Sequence, residues 1–120
     1  MILADTNAWS RYALSRRQPD PDFARLVADG EIVCHPWIFG ELILGGISDL
    51  ASRSIAQLDF IPIATHEETI TFIRRYRPQG IGWVDVNLLV SAIQSGADLL
   101  TLDTALRENA ALHGRAARAH

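Results

Sequence analysis

Met1-Ile2-Leu3-Ala4-Asp5-Thr6-Asn7 begins with four apolar residues and closes on an aspartate followed by two polar residues. So short an apolar run reads as a buried strand, and Asp5-Thr6-Asn7 reads as a set of polar caps for a helix starting near Ala8. The pattern returns at Leu99-Leu100-Thr101-Leu102-Asp103. Two acids thus close two short strands. In a parallel sheet, equivalent strand ends are neighbours, and open α/β sheets bind ligands in the crevice outside those carboxyl ends.

Outward from these two stretches, strand-like segments fall at residues 1–5, 32–35, 60–64 and 99–103, separated by helical patterns. The alternation predicts an α/β fold with a parallel sheet covered by helices on both faces. The loop Gln18-Pro19-Asp20-Pro21-Asp22 starts a helix through Phe23, Leu26 and Val27, which Gly30 stops. Pro36 opens a helix carrying Ile38, Phe39, Glu41, Leu42 and Leu44, broken at Gly45-Gly46, and a further helix is expected over residues 50–58. Residues 65–75 form an amphipathic pattern ending at Arg77-Pro78-Gln79-Gly80, and residues 84–95 a nearly continuous apolar helix ended by Gly96.

A length of 120 residues suits a single compact domain, 1–120, with a real core. Apolar residues make up 48% and charged residues 21%, which is ordinary globular usage. Every apolar stretch is interrupted well short of the roughly 20 residues that span a bilayer. No basic region precedes an apolar one at the start, so no signal peptide is expected. With the lone Cys34 unable to form an internal disulfide, a cytoplasmic location without membrane association is expected.

All 11 basic side chains are arginine. The absence of lysine and of a Gly-rich loop excludes P-loop nucleotidases and other phosphate-handling α/β classes that depend on them. The net charge of −3 looks unsuited to nucleic acid until Asp5, Glu41, Asp85 and Asp103 are set aside, leaving ten acids against eleven arginines. A cation-loaded acidic pocket would remove the main obstacle to a phosphate backbone, which arginine suits through its planar fork of donors.

Each of these four acids also has a plainer explanation. Asp5, Asp85 and Asp103 each precede a helix and could serve as N-caps. Glu41 sits among Ile38, Phe39, Leu42 and Ile43, and Asp85 shares a helical face with Leu88, Leu89 and Ala92, so both are expected to point inward. Buried carboxylates are costly without a compensating partner. Two inward acids and two strand-end acids are hard to explain as caps alone. Grouped together they would raise one another's pKa. Magnesium, which prefers oxygen ligands and retains several waters, fits such a site, with manganese as a substitute.

The chain resembles the PIN-domain ribonucleases, specifically the VapC-type toxins of bacterial toxin–antitoxin pairs. The resemblance rests on Asp5-Thr6-Asn7, Trp37-Ile38-Phe39-Gly40-Glu41-Leu42, Gly82-Trp83-Val84-Asp85-Val86-Asn87-Leu88-Leu89 and Leu100-Thr101-Leu102-Asp103, in that order, and spans residues 1 to about 112. It implies a three-layer α/β/α sandwich with a central parallel sheet of four to five strands. It also implies that Asp5, Glu41, Asp85 and Asp103 are the catalytic, metal-holding quartet, oriented by Thr6, Asn7 and Thr101. The activity implied is magnesium-dependent endoribonuclease cleavage by metal-activated water, with an RNA bearing an exposed loop, such as a tRNA, as substrate. A VapB-like antitoxin and a homodimer are the implied partners.

Two alternatives belong to other classes. A catalytically inert PIN-like scaffold binding RNA or protein would show a broken quartet, and here the quartet is complete. A magnesium-dependent 5′-nuclease acting on DNA would need more acids and larger insertions than this length allows. Among the remaining residues, Arg74-Arg75-Tyr76-Arg77 reads as a solvated face complementing a helix C-terminus, and Arg16-Arg17 likewise. His35, His66, His113 and His120 lack zinc-ligand spacing. Trp9, Trp37 and Trp83 read as core or interface packing, and Arg115 and Arg118 as contacts for RNA or a partner, or as a loose tail.

Overall fold

A computed structural model describes residues 1–118; His120 lies outside them. Three parallel strands form the sheet in the order β2-β1-β3: β1 is Ile2–Ala4, β2 Ile32–Val33 and β3 Asp98–Leu100. Ile2 pairs with Ile32 on one side and Asp98 on the other, and Ala4 with Leu100. Seven α-helices flank the sheet: α1 (Thr6–Trp9), α2 (Pro21–Ala28), α3 (Pro36–Leu44), α4 (Asp49–Ala56), α5 (His66–Tyr76), α6 (Trp83–Ser95) and α7 (Thr104–Leu112). A π-helical turn, Ser10–Leu14, continues α1; nothing in the hydrophobic pattern signals it.

Among the described residues the sheet has three strands, where four to five are expected. Residues 60–64 contribute only an isolated bridge between Phe60 and Cys34, and a second bridge joins Ala116 to Leu99 at the opposite edge. The reason is chemical. Pro62 has no N–H to give a ladder, and the backbone of Ala64 is taken by α6, where the Ser91 hydroxyl accepts its N–H at 2.9 Å and the Asn87 amide donates to its carbonyl at 2.9 Å. The second strand is likewise shorter than expected, because His35 leaves it to cap α3, its ring nitrogen accepting the Trp37 N–H at 3.0 Å.

The core lies between strands and helices. Leu3, Ile32, Leu89 and Leu99 are each essentially sealed from water. Helix α6 is buried along Val86–Ala92 nearly all round, which explains its continuous apolar composition, and it ends where Gly96 adopts a left-handed conformation, φ 70°. Helix α5 begins with a reciprocal Thr65/Glu68 capping box. Among the described residues, no helix is long and apolar enough to cross a membrane.

Candidate functional site

The topology brings Asp5 and Asp103 to adjacent strand exits, because β1 and β3 pair directly. Both acids do serve as N-caps: one Asp5 oxygen accepts the Ala8 N–H at 2.9 Å, and one Asp103 oxygen accepts the Leu106 N–H at 2.8 Å. Capping therefore fixes their direction. Thr101 then joins them. Its hydroxyl donates in a short hydrogen bond to the second Asp5 oxygen, and its oxygen accepts the Asp103 N–H at 3.1 Å. Asp5 is buried and Asp103 exposed.

Glu41 comes from the middle of α3 and is oriented by Thr6, whose hydroxyl donates to it at 2.9 Å. The inward placement expected of Glu41 is not found: it is exposed. Only Ile38 and Leu42, one turn apart, bury their side chains from α3, while Leu44 stays 88% exposed, so the apolar composition of this helix overstates its burial. Asp85 sits in the first turn of α6, half-buried, and is not the cap of that helix, which is Gly82. Asn7 is exposed and its side chain makes no hydrogen bond among the described residues.

The carboxylates influence one another. The Asp85 pKa is raised above the usual carboxylate value, first by burial and then by the charges of Asp103, Asp5 and Glu41. Burial also raises Asp5, helped by Asp103 and Glu41 and opposed by its hydrogen bonds from Thr101 and Ala8. No ion pair among the described residues involves any of the four. They form an acidic neighbourhood, although no three His, Cys, Asp or Glu side chains among the described residues converge closely enough to cage a metal ion. A cleft of about 270 Å³ containing Thr6, Ser10, Glu41 and Ile47 opens beside Glu41. A larger groove of about 410 Å³, lined by residues that include Ile2, Tyr12, Phe23, Asp98 and Leu100, lies along β1 and β3, and none of the four acids lines it.

Sequence reasoning missed what holds the helices around these acids. His35, Thr69, Asn87 and Ser91 form a fully buried polar chain. The His35 ring lies 3.3 Å from the Ser91 hydroxyl, Ser91 donates to Asn87 at 3.3 Å, and Asn87 donates to Thr69 at 3.0 Å. The chain ties the start of α3 to α6 and α5. The signal was Asn87 and Ser91, four residues apart in an otherwise apolar helix. Burial lowers the His35 pKa to about 4, so the ring is neutral, and because one nitrogen accepts from Trp37 the other carries the proton toward Ser91. The tryptophans divide. Trp9 is core at 4% exposure, Trp37 is half-buried, and Trp83 is 40% exposed, so of the two places expected for these side chains Trp83 is not in the core.

Residues 2–112 match the family described as PIN domain. The chain is 38% identical over 119 residues to Ribonuclease VapC32 from two strains of Mycobacterium tuberculosis, covering 95% of this chain and 94% of each relative. Among solved structures, PAE2754 from Pyrobaculum aerophilum is similar with a TM-score of 0.53 over 89% of this chain and 77% of that one; at 15% identity the likeness concerns the fold.

Proposed function

This chain belongs to the PIN-domain family, and from that premise we propose that it is a magnesium-dependent endoribonuclease, the toxin of a VapBC-type pair. The observation that supports this most is the placement of Asp5 and Asp103 beyond the carboxyl ends of the paired β1 and β3, near enough to Glu41 and Asp85 for their charges to raise the Asp5 and Asp85 pKa values. Four carboxylates without a cationic neighbour form a donor set made only of oxygen, which fits magnesium or manganese and does not suit zinc.

In this reading Asp5, Asp85 and Asp103 hold the cation, and Glu41 either shares it or positions the attacking water. A divalent cation there supplies Lewis-acid charge to a phosphodiester and lowers the pKa of nearby water. The protein's own contribution is orientation. Thr101 and the Ala8 N–H fix both oxygens of Asp5, the Leu106 N–H fixes Asp103, and Thr6 holds Glu41 while leaving it open to solvent. Substituents held in this way lose little freedom when substrate arrives.

The substrate class is single-stranded RNA in an exposed loop, as in a tRNA. A VapB-like antitoxin is the proposed partner, placing a basic side chain among the acids, and a homodimer the proposed assembly. Leu44 at the end of the Glu41 helix and Leu50 in α4, 88% and 72% exposed, offer a protein partner an apolar footing.

The test is incubation of total RNA with the purified chain in magnesium or manganese, with a chelator control and an Asp5→Ala variant. Discrete fragments that need both the cation and Asp5 support the assignment. Intact RNA in both metals from folded protein overturns it in favour of an inert binding scaffold.

A further inference from the structure

Trp83 and His66 form an exposed aromatic pair at the starts of two helices, one of which carries Asp85. Their rings lie 5.3 Å apart and are tilted by 45°. Trp83 is the first residue of α6 and His66 the first of α5, and the two helices begin side by side: Asn87 on α6 meets Thr69 on α5. Asp85 lies two residues beyond Trp83, so their Cα atoms are about 5 Å apart with side chains on nearly opposite sides of the turn. Asp85 feels Asp103, Asp5 and Glu41; Trp83 turns toward α5 with 40% of its surface open to water.

An indole that exposed forgoes much of the stabilisation that burial gives the largest apolar side chain. The other exposed aromatic of this region, Tyr76, is at the far end of α5, about 15 Å along the helix axis from its start. Trp83 and His66 are therefore the aromatic pair at the acids' end of these two helices.

We infer that Trp83, backed by His66, is a stacking platform for one unpaired base of the RNA, adjacent to the nucleotide whose phosphate meets the acids. The proposal rests on the ribonuclease reading and adds to it a binding residue. Its logic is electrostatic. Beside four carboxylates, an arginine would be drawn to the acids instead of to phosphate, whereas a neutral indole holds RNA through the π-face of a base. Stacking of this kind accepts any base and needs it unstacked, which selects single strands over duplexes.

The test measures binding of a short fluorescein-labelled single-stranded RNA, by anisotropy in calcium, to wild type, Trp83→Ala and Trp83→Phe, with circular dichroism confirming that each is folded. Trp83→Ala is expected to weaken binding about ten-fold, with Trp83→Phe near wild type. A scan placing one abasic nucleotide at each position then separates stacking from a structural effect. Wild type is expected to lose affinity at one position and Trp83→Ala to lose nothing further there. Equal affinity of wild type and Trp83→Ala overturns the platform, and does so even if wild type cleaves total RNA. Binding through Trp83 by a chain that never cleaves RNA sustains the platform and overturns the nuclease assignment instead.

Discussion

Thr101 donates its hydroxyl proton to the carboxylate of Asp5, across 96 residues of sequence, and both groups are buried. A hydrogen bond to a buried charge is worth more than one between neutral groups. Thr101→Val, which keeps the shape and removes the donor, is expected to cost about 1.5–3 kcal/mol in urea unfolding. It also raises the Asp5 pKa further, since this bond opposes the effect of burial. Thr101→Ser restores both.

The buried chain through His35 gives stability a pH dependence of definite sign. The folded-state pKa of His35 is lowered from 6.5 to about 4, so the unfolded chain binds the proton more readily. The corresponding stability is complete above pH 6.5 and is lost as pH falls from there toward 4, to a total of roughly 3 kcal/mol. His35→Asn, whose short amide can still cap α3, is expected to flatten this slope in urea titrations at pH 7 and 4.5. A slope unchanged by the substitution would assign it to other groups.

Asp85 and Asp5 act in the opposite direction. Their folded pKa values are raised, so their contribution is complete below the unfolded value and is lost as pH rises through the folded one. At neutral pH these carboxylates strain the fold. Asp85→Asn is therefore expected to raise stability at pH 7 on the order of 1 kcal/mol, measured by urea midpoint, while abolishing RNA cleavage. A stability loss at pH 7 would contradict this account.

Because a cation competes with protons for the same oxygens, manganese affinity should fall as pH is lowered from 7.5 to 5.5, with proton release on binding. Calorimetry in two buffers of different ionisation enthalpy measures that release. The same affinity and no proton release at both pH values would place the ion elsewhere.

The strand ends were legible in the sequence because a short apolar run closed by an acid has few other uses, and Asp5 and Asp103 do follow two paired strands, although β3 ends at Leu100, three residues before Asp103, not at the acid itself. Helices α5 and α6 were legible through the amphipathic pattern of residues 65–75, the break at residues 77–80 and Gly96, whereas the Thr65 cap was found only in the structure. The strand expected at residues 60–64 was not: Pro62 was a local warning against it, but the rest of its loss depends on α6 reaching Ala64, a contact no local pattern encodes. Glu41 was misjudged for a related reason: an apolar helix looks buried on all sides, and only packing decides that Ile38 and Leu42 face inward while Ile43 and Leu44 do not. For Trp83 the sequence left core and interface both open, since composition cannot separate an aromatic in the core from one on the rim.

The measurement that bears most directly on the central claim, that the four acids act as one cation site, is manganese binding by calorimetry at pH 7.5 to wild type and to Asp5→Asn, Glu41→Gln, Asp85→Asn and Asp103→Asn, each confirmed folded. Saturable binding by wild type is expected, weakening at least ten-fold in the Asp5, Asp85 and Asp103 variants and less in Glu41→Gln, whose side chain is exposed and held by Thr6. Binding unchanged in those three aspartate variants would contradict that claim.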